Sequence, residues 1–144
     1  MVKTIRSAFI IAVLLFLVGC TALFYTPQNL MSDNRAHLSS LNPGLTKDEA
    51  IKIMGTEGKS MCTAVGPFAI CMRSQFINNP YRTTGFQSEG KAYDILYYWT
   101  DVKQRDDVIT DDELTPLIFE DGKLIGWGRD LLDATIKKYE FPVR

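Results

Sequence analysis

A single histidine, three cysteines and no block of basic residues mark this 144-residue sequence. Each scarcity excludes a class of function. His37 has no neighbouring side chains with which to form a Ser/His/Asp or Cys/His set, so nucleophilic catalysis of those kinds is not expected. No Cys/His spacing suits zinc, and the C-x-x-C that tunes a redox thiol is missing. Without a basic block, nucleic acid is not an expected partner. There is no internal repeat and no low-complexity tract. Only one long apolar run occurs, and it lies at the N-terminus.

That run is Ala8 to Val18, preceded by Lys3 and Arg6, with no acidic residue before Asp33. Its length is that of a signal-peptide core, shorter than the ~20 residues a membrane span needs. An A-x-A cleavage site is absent, and the run ends in Leu17-Val18-Gly19-Cys20. This ending resembles the bacterial lipobox. The resemblance implies cleavage between Gly19 and Cys20, with Cys20 lipidated as the first mature residue. Thr21 stands where an inner-membrane retention signal has Asp, so the resemblance implies the outer membrane. The competing reading is an uncleaved anchor over residues 8–25. The expected organisation is a signal peptide (1–19), a lipidated tether (20–29) and one domain (30–144). Removing Lys3 and Arg6 from the 16 basic side chains leaves 14 against 17 acidic ones, a net charge of −3.

With Cys20 assigned to lipid, Cys62 and Cys71 remain as an even pair in an oxidising compartment. Gly66-Pro67 lies midway between them and predicts a turn joining two short strands, with the cysteines directly opposed. A disulfide closing this loop of about ten residues is expected to stabilise by roughly 2.5–3 kcal/mol through chain entropy. Two free thiols, or a redox pair, are the alternatives.

Leu30, Met31, Leu38 and Leu41 recur at helical spacing, and Asn42-Pro43-Gly44 closes that helix. Pro27 is read as opposing helix within the tether. His37, in this helix, is expected to be solvated or packed. Gly44 to Gly55 then predicts a short capped helix. Thr46 is its N-cap, Glu49 completes a capping box, Leu45 staples onto Ala50 or Ile51, and Gly55 ends it. This element resembles the first motif of the SmpA/OmlA family, which includes the small lipoprotein subunit of the outer-membrane β-barrel assembly machinery. Glu57 stands where that family has proline.

Residues 73–90 read as loop. Gly85 to Ala92 nearly spells a phosphate-binding loop, but it lacks the final Ser/Thr and runs into a strand, so it cannot cradle phosphate. Tyr93 to Val102 predicts a central strand. Tyr93, Ile95, Tyr97 and Trp99 fall on one face, and Asp94, Leu96, Tyr98 and Thr100 on the other. The acidic stretch 103–114 lacks the alternation and bend glycine of a calcium loop and reads as a solvated tip, with a weak cation site as the alternative. Asp121-Gly122 predicts a two-residue hairpin turn that sets Glu120 opposite Lys123, Phe119 opposite Leu124 and Ile118 opposite Ile125. Gly126 is read as a place where a helix approaches the sheet closely. Arg129 to Tyr139 predicts a closing helix with Leu132, Thr135 or Ile136, and Tyr139 inward.

Thr115-Pro116-Leu117-Ile118-Phe119 and Leu124-Ile125-Gly126-Trp127-Gly128 are similar to the C-terminal half of uncharacterised proteobacterial lipoproteins sharing a domain of unknown function. The expected architecture is α+β: two N-terminal helices on an antiparallel sheet of three to five strands, with a C-terminal helix. By resemblance this is SmpA/OmlA-like or β-lactamase-inhibitor-protein-like. The expected function is a non-enzymatic lipoprotein without cofactor or metal, held to the membrane through the Cys20 lipid. It is expected to bind envelope proteins at the periplasmic face of the outer membrane, in assembly or maintenance of that membrane. An inhibitor or ligand-binding module is the alternative, and an enzyme would need a carboxylate pair assembled by the fold.

Overall fold

In a computed structural model of the chain, the structure describes residues 24–67, 70–104 and 108–139. Gly19, Cys20 and the apolar run lie outside the described residues. Among the described residues no helix is long and apolar enough to cross a membrane. The chain forms helix α1 (Pro27–Leu38), helix α2 (Lys47–Met54), strands β1 (Lys59–Val65), β2 (Cys71–Ile77), β3 (Arg82–Ser88), β4 (Lys91–Trp99), β5 (Leu114–Glu120) and β6 (Lys123–Trp127), then helix α3 (Arg129–Tyr139). The class is α+β with two N-terminal helices and a C-terminal helix, as expected.

Strands β3-β4-β5-β6 form one antiparallel sheet in that order, and β1-β2 form a separate hairpin. Central β4 divides its side chains as its alternation predicts. Tyr93, Ile95, Tyr97 and Trp99 join Leu30, Met31, Met61, Ile77, Leu114, Ile118 and Leu132 in one apolar cluster. Leu96 and Tyr98 join Leu41, Ala50, Met54, Leu117, Phe119 and Leu124 in the other. The sheet is therefore covered on one face by α2 and on the other by α1, the β1-β2 hairpin and α3. Burial on both faces is why β4 carries almost no polar side chain.

Several expectations need correction. Helix α1 begins at Pro27, inside the segment read as tether, because proline at the first helical position forfeits no intrahelical bond and has the right φ. The Asn29 side chain accepts from Thr26 N–H at 2.9 Å and caps that end. The 73–90 segment is not loop: β2 and β3 occupy most of it, and the near-match to a phosphate loop is the β3-β4 hairpin. Glu89 and Gly90 (φ 51° and 76°) make its two-residue turn, in the same left-handed conformation as Asp121 and Gly122 (φ 49° and 78°). Opposite β5, Phe119 faces Leu124 and Glu120 faces Lys123 as read, but Ile118 faces Gly126 instead of Ile125. Ile125 is the extra residue of a β-bulge, which turns Gly126 to the α3 side. A Cβ built on Gly126 would lie 2.6 Å from the Leu131 side chain, so the expected close approach of a helix at this glycine is real. In α3, Leu132 and Thr135 are buried, whereas Ile136 is exposed.

The capping box of α2 is present as read: Thr46 Oγ1 accepts from Glu49 N–H, and Glu49 accepts from Thr46 N–H at 2.8 Å. Those bonds hold the Glu49 carboxyl below its usual range, the backbone bond first. Cys62 and Cys71 stand at disulfide distance with Cα atoms 5.7 Å apart. They are not directly opposed, because Cys62 faces Ser74, Cys71 faces Val65, and register shifts lie between Cys62 and Val65.

Mass spectrometry of the protein isolated under native conditions is expected to show a gain of ~2 Da on reduction. Stability should fall by roughly 2–3 kcal/mol in urea titrations when the bridge is reduced. Unchanged mass on reduction would show that the thiols are free.

Candidate functional site

Helix α1 is fixed by two buried asparagines. Asn34 occupies a position on the same stripe as Leu30 and Leu38, where an apolar residue is usual. Its amide nitrogen donates to Asn79 Oδ1 (3.1 Å) and to the Trp99 carbonyl (2.8 Å). Asn79 returns a bond to Asn34 Oδ1 (3.1 Å) and donates to the Met54 carbonyl (3.3 Å). All four N–H groups of the two amides are thereby used, which is what makes their burial tolerable. Asn79 precedes Pro80 through a cis peptide bond. Arg35 Nη1 adds a bond of 2.7 Å to the Thr100 carbonyl.

Beyond Trp99 the chain leaves the sheet and returns at Leu114, and Glu113 organises this excursion. Its side chain is buried and accepts from the N–H groups of Lys103 (2.6 Å), Gln104 (3.2 Å) and Thr110 (3.3 Å). Its own carbonyl accepts from Thr100 and Asp101 N–H (3.1 and 3.2 Å). The acidic stretch read as a solvated tip is thus built around one inward carboxyl, because turning Glu113 in satisfies backbone donors that the fold buries. Asp111 and Asp112 do remain exposed. Asp106 and Asp107 lie outside the described residues. On the rim, the Lys103 ammonium, 2.5 Å from Asp101, holds the Asp101 carboxyl below its usual range, aided by Val102 N–H.

Between this loop, α1 and the β1-β2 hairpin lies a cleft of about 370 Å³. Helix α1 contributes Gln28, Met31 and Arg35; the hairpin contributes Thr63, Gln75 and Ile77; the loop contributes Val102, Gln104, Val108 and Ile109. Trp99 is part of the wall and is 7% exposed. Its Nε1 is buried without a hydrogen-bond partner, the one such side-chain polar atom among the described residues. An indole N–H is a donor only, so an oxygen acceptor is the group it lacks. The volume lies within the range of sites that bind ligands or short segments of chain. The walls combine apolar side chains and carboxamides with the charged groups of Arg35, Asp101 and Glu113.

His37 is exposed on α1, away from this cleft. No three His, Cys, Asp or Glu side chains among the described residues converge as a metal site. The aromatics at the end of β4 next to the loop, Tyr97, Tyr98 and Trp99, are buried. Burial pushes the Tyr98 hydroxyl up to about 12. Of the cleft residues, sequence reasoning read Met31 as part of a helical apolar stripe, Trp99 as strand and Pro27 as tether, and gave none of them a binding role. Its walls come from four separate elements, and the readable signal was Asn34 on an apolar stripe.

Residues 25–134 match the family described as Protein of unknown function (DUF3192). The chain belongs to this family. The match takes in α1, the hairpin, the whole four-stranded sheet and every residue of the cleft, so the DUF3192 unit contains the site entire. No curated protein and no solved structure matches the chain.

Replacing Glu113 by leucine, of similar bulk but without an acceptor, should destabilise the protein by about 2–3 kcal/mol in urea denaturation. Amide exchange should accelerate at Lys103, Gln104 and Thr110. Unchanged exchange there would mean that the loop is held by something other than Glu113.

Proposed function

We propose that the chain is a lipid-anchored, non-enzymatic envelope lipoprotein that binds a protein partner at the periplasmic face of the outer membrane through the Trp99 cleft. The unpartnered Trp99 Nε1 carries this reading. A buried donor without an acceptor is unfavourable by about 1–3 kcal/mol, and a partner carbonyl that reached Nε1 as the cleft wall opened would relieve it. Gln28, Gln75 and Gln104 around the same cleft offer both donors and acceptors, the complement of a peptide backbone. The anchor rests on the lipobox-like Leu17-Val18-Gly19-Cys20, and a stable hold on the membrane needs the several acyl chains such a cysteine receives. A role in outer-membrane assembly or maintenance is supported by the resemblance of residues 44–55 to the SmpA/OmlA motif. The alternative, an inhibitor or ligand-binding module, rests on the resemblance of the fold.

Two variants test the two halves of this reading. Cys20→Ala should abolish labelling by palmitate and release or mislocalise a domain that still folds; continued labelling contradicts the anchor. A photo-crosslinking residue at Gln104 in intact cells should yield a defined envelope adduct. Trp99→Phe, checked by circular dichroism to be folded, should reduce that adduct about tenfold, the equivalent of one lost hydrogen bond. An adduct indifferent to Trp99→Phe contradicts the cleft.

A further inference from the structure

The β1-β2 hairpin shows a second surface, on the side facing away from the core. Met61 and Ile77 point inward, whereas Met72 (70% exposed) and Phe76 (65%) project from the outer face of β2, with Ile70 (56%) beside the turn. Three large apolar side chains within seven residues is a concentration that a surface covered only by water does not favour. The charged residues of strands β1 (KSMCTAV) and β2 (CMRSQFI), Lys59 and Arg73, stand in register with Met61, Gln75 and Ile77 on the inward side, so the outer face of the two strands carries no charge.

The position of this hairpin relative to Cys20 is constrained by the chain itself. The Tyr25 carbonyl accepts from Cys62 N–H at 3.0 Å, along the edge of β1 not paired with β2. The Tyr25 hydroxyl donates to Asp33 at 2.6 Å, and Lys59 Nζ lies 4.5 Å from its ring centroid. Burial first, and then Asp33, raise that hydroxyl well above the ordinary tyrosine range, so it stays a donor. Tyr25 is therefore moored to the hairpin. From Cys20 to Tyr25 are five peptide spacings, which reach at most about 18 Å when fully extended. The headgroup layer takes up about 5–8 Å of that reach.

We infer that the outer face of the β1-β2 hairpin, through Met72, Phe76 and Ile70, rests in the interface of the bilayer that holds the Cys20 lipid. The inference rests on the lipid-anchor reading. The short tether brings β1 to the membrane, and of the surfaces near β1 the outer hairpin face is the one that gathers exposed apolar side chains without a charge. The occupant is lipid; a protein seated on the same face is an outcome that the test below separates.

The test uses the full-length protein purified from membranes and confirmed by mass to carry its acyl chains. It is reconstituted in phosphatidylethanolamine/phosphatidylglycerol vesicles whose lipids are brominated high on the acyl chain. Phe76→Trp and Met72→Trp each add an emitter at a solvent-exposed position. Gln87→Trp, on β3 near the opposite end of the sheet from Trp99, is the control. The emission added at positions 76 and 72 should be quenched and blue-shifted, consistent with seating about 5–10 Å into the headgroup boundary, and that added at 87 should not. Acylated protein in which neither hairpin position is quenched overturns the inference and leaves the anchor standing. Protein without acyl mass overturns the anchor and the inference together. Quenching that is equal at 87 and 76 overturns the oriented seating.

Discussion

The reciprocal amide pair between Asn34 and Asn79 is the contact on which the rest of this structure depends. It joins α1 to the link between β2 and β3, and it reaches the last carbonyl of β4 and the last carbonyl of α2. No other side-chain hydrogen bond among those described here ties four elements. Its effect is positional more than energetic. Buried polar pairs contribute little net stability when complete and are expensive when half-made, so they favour one arrangement over near alternatives. With α1 fixed in that way, Met31 and Arg35 become a wall of the cleft, and Tyr25 is delivered to the edge of β1.

One hairpin then serves two surfaces. Its inward side chains Thr63, Gln75 and Ile77 border the cleft, while Met72 and Phe76 face outward. A two-stranded hairpin is marginal by itself. Here it is backed by Met61 and Ile77 in the shared core, moored by Tyr25 and cross-linked at disulfide distance through Cys62 and Cys71. In the proposed arrangement the partner-binding cleft lies one strand thickness from the membrane. A protein bound there would sit close to the bilayer.

Much of the fold was legible because the decisive signals were local. The capping box at Thr46 and Glu49, the Asp121-Gly122 turn and the two-faced alternation of β4 each lie within about ten residues, and each is found where the residues put it. What escaped is non-local or lacks an apolar signature. Strand β3 (RTTGFQS) is an edge strand with mostly exposed side chains, so no alternation announces it; its pairing with β4 creates it. The bulge at Ile125 is invisible to an in-register count, and it sets Gly126 opposite Ile118, on the α3 side. Glu113 read as one acid among five because nothing nearby in sequence reveals the three N–H groups that turn it inward. The cleft draws on residues from 27 to 113, and only the folded chain assembles it.

A double-mutant cycle on Asn34→Ala and Asn79→Ala, followed by urea denaturation of the two single variants and the double, is the most direct test of this account. If the pair is the joint described, each single change strands the other amide, and the double variant should be less destabilised than the sum by about 1–3 kcal/mol. Additivity to within about 0.3–0.5 kcal/mol would show that the two side chains act independently and that α1 is held by other means.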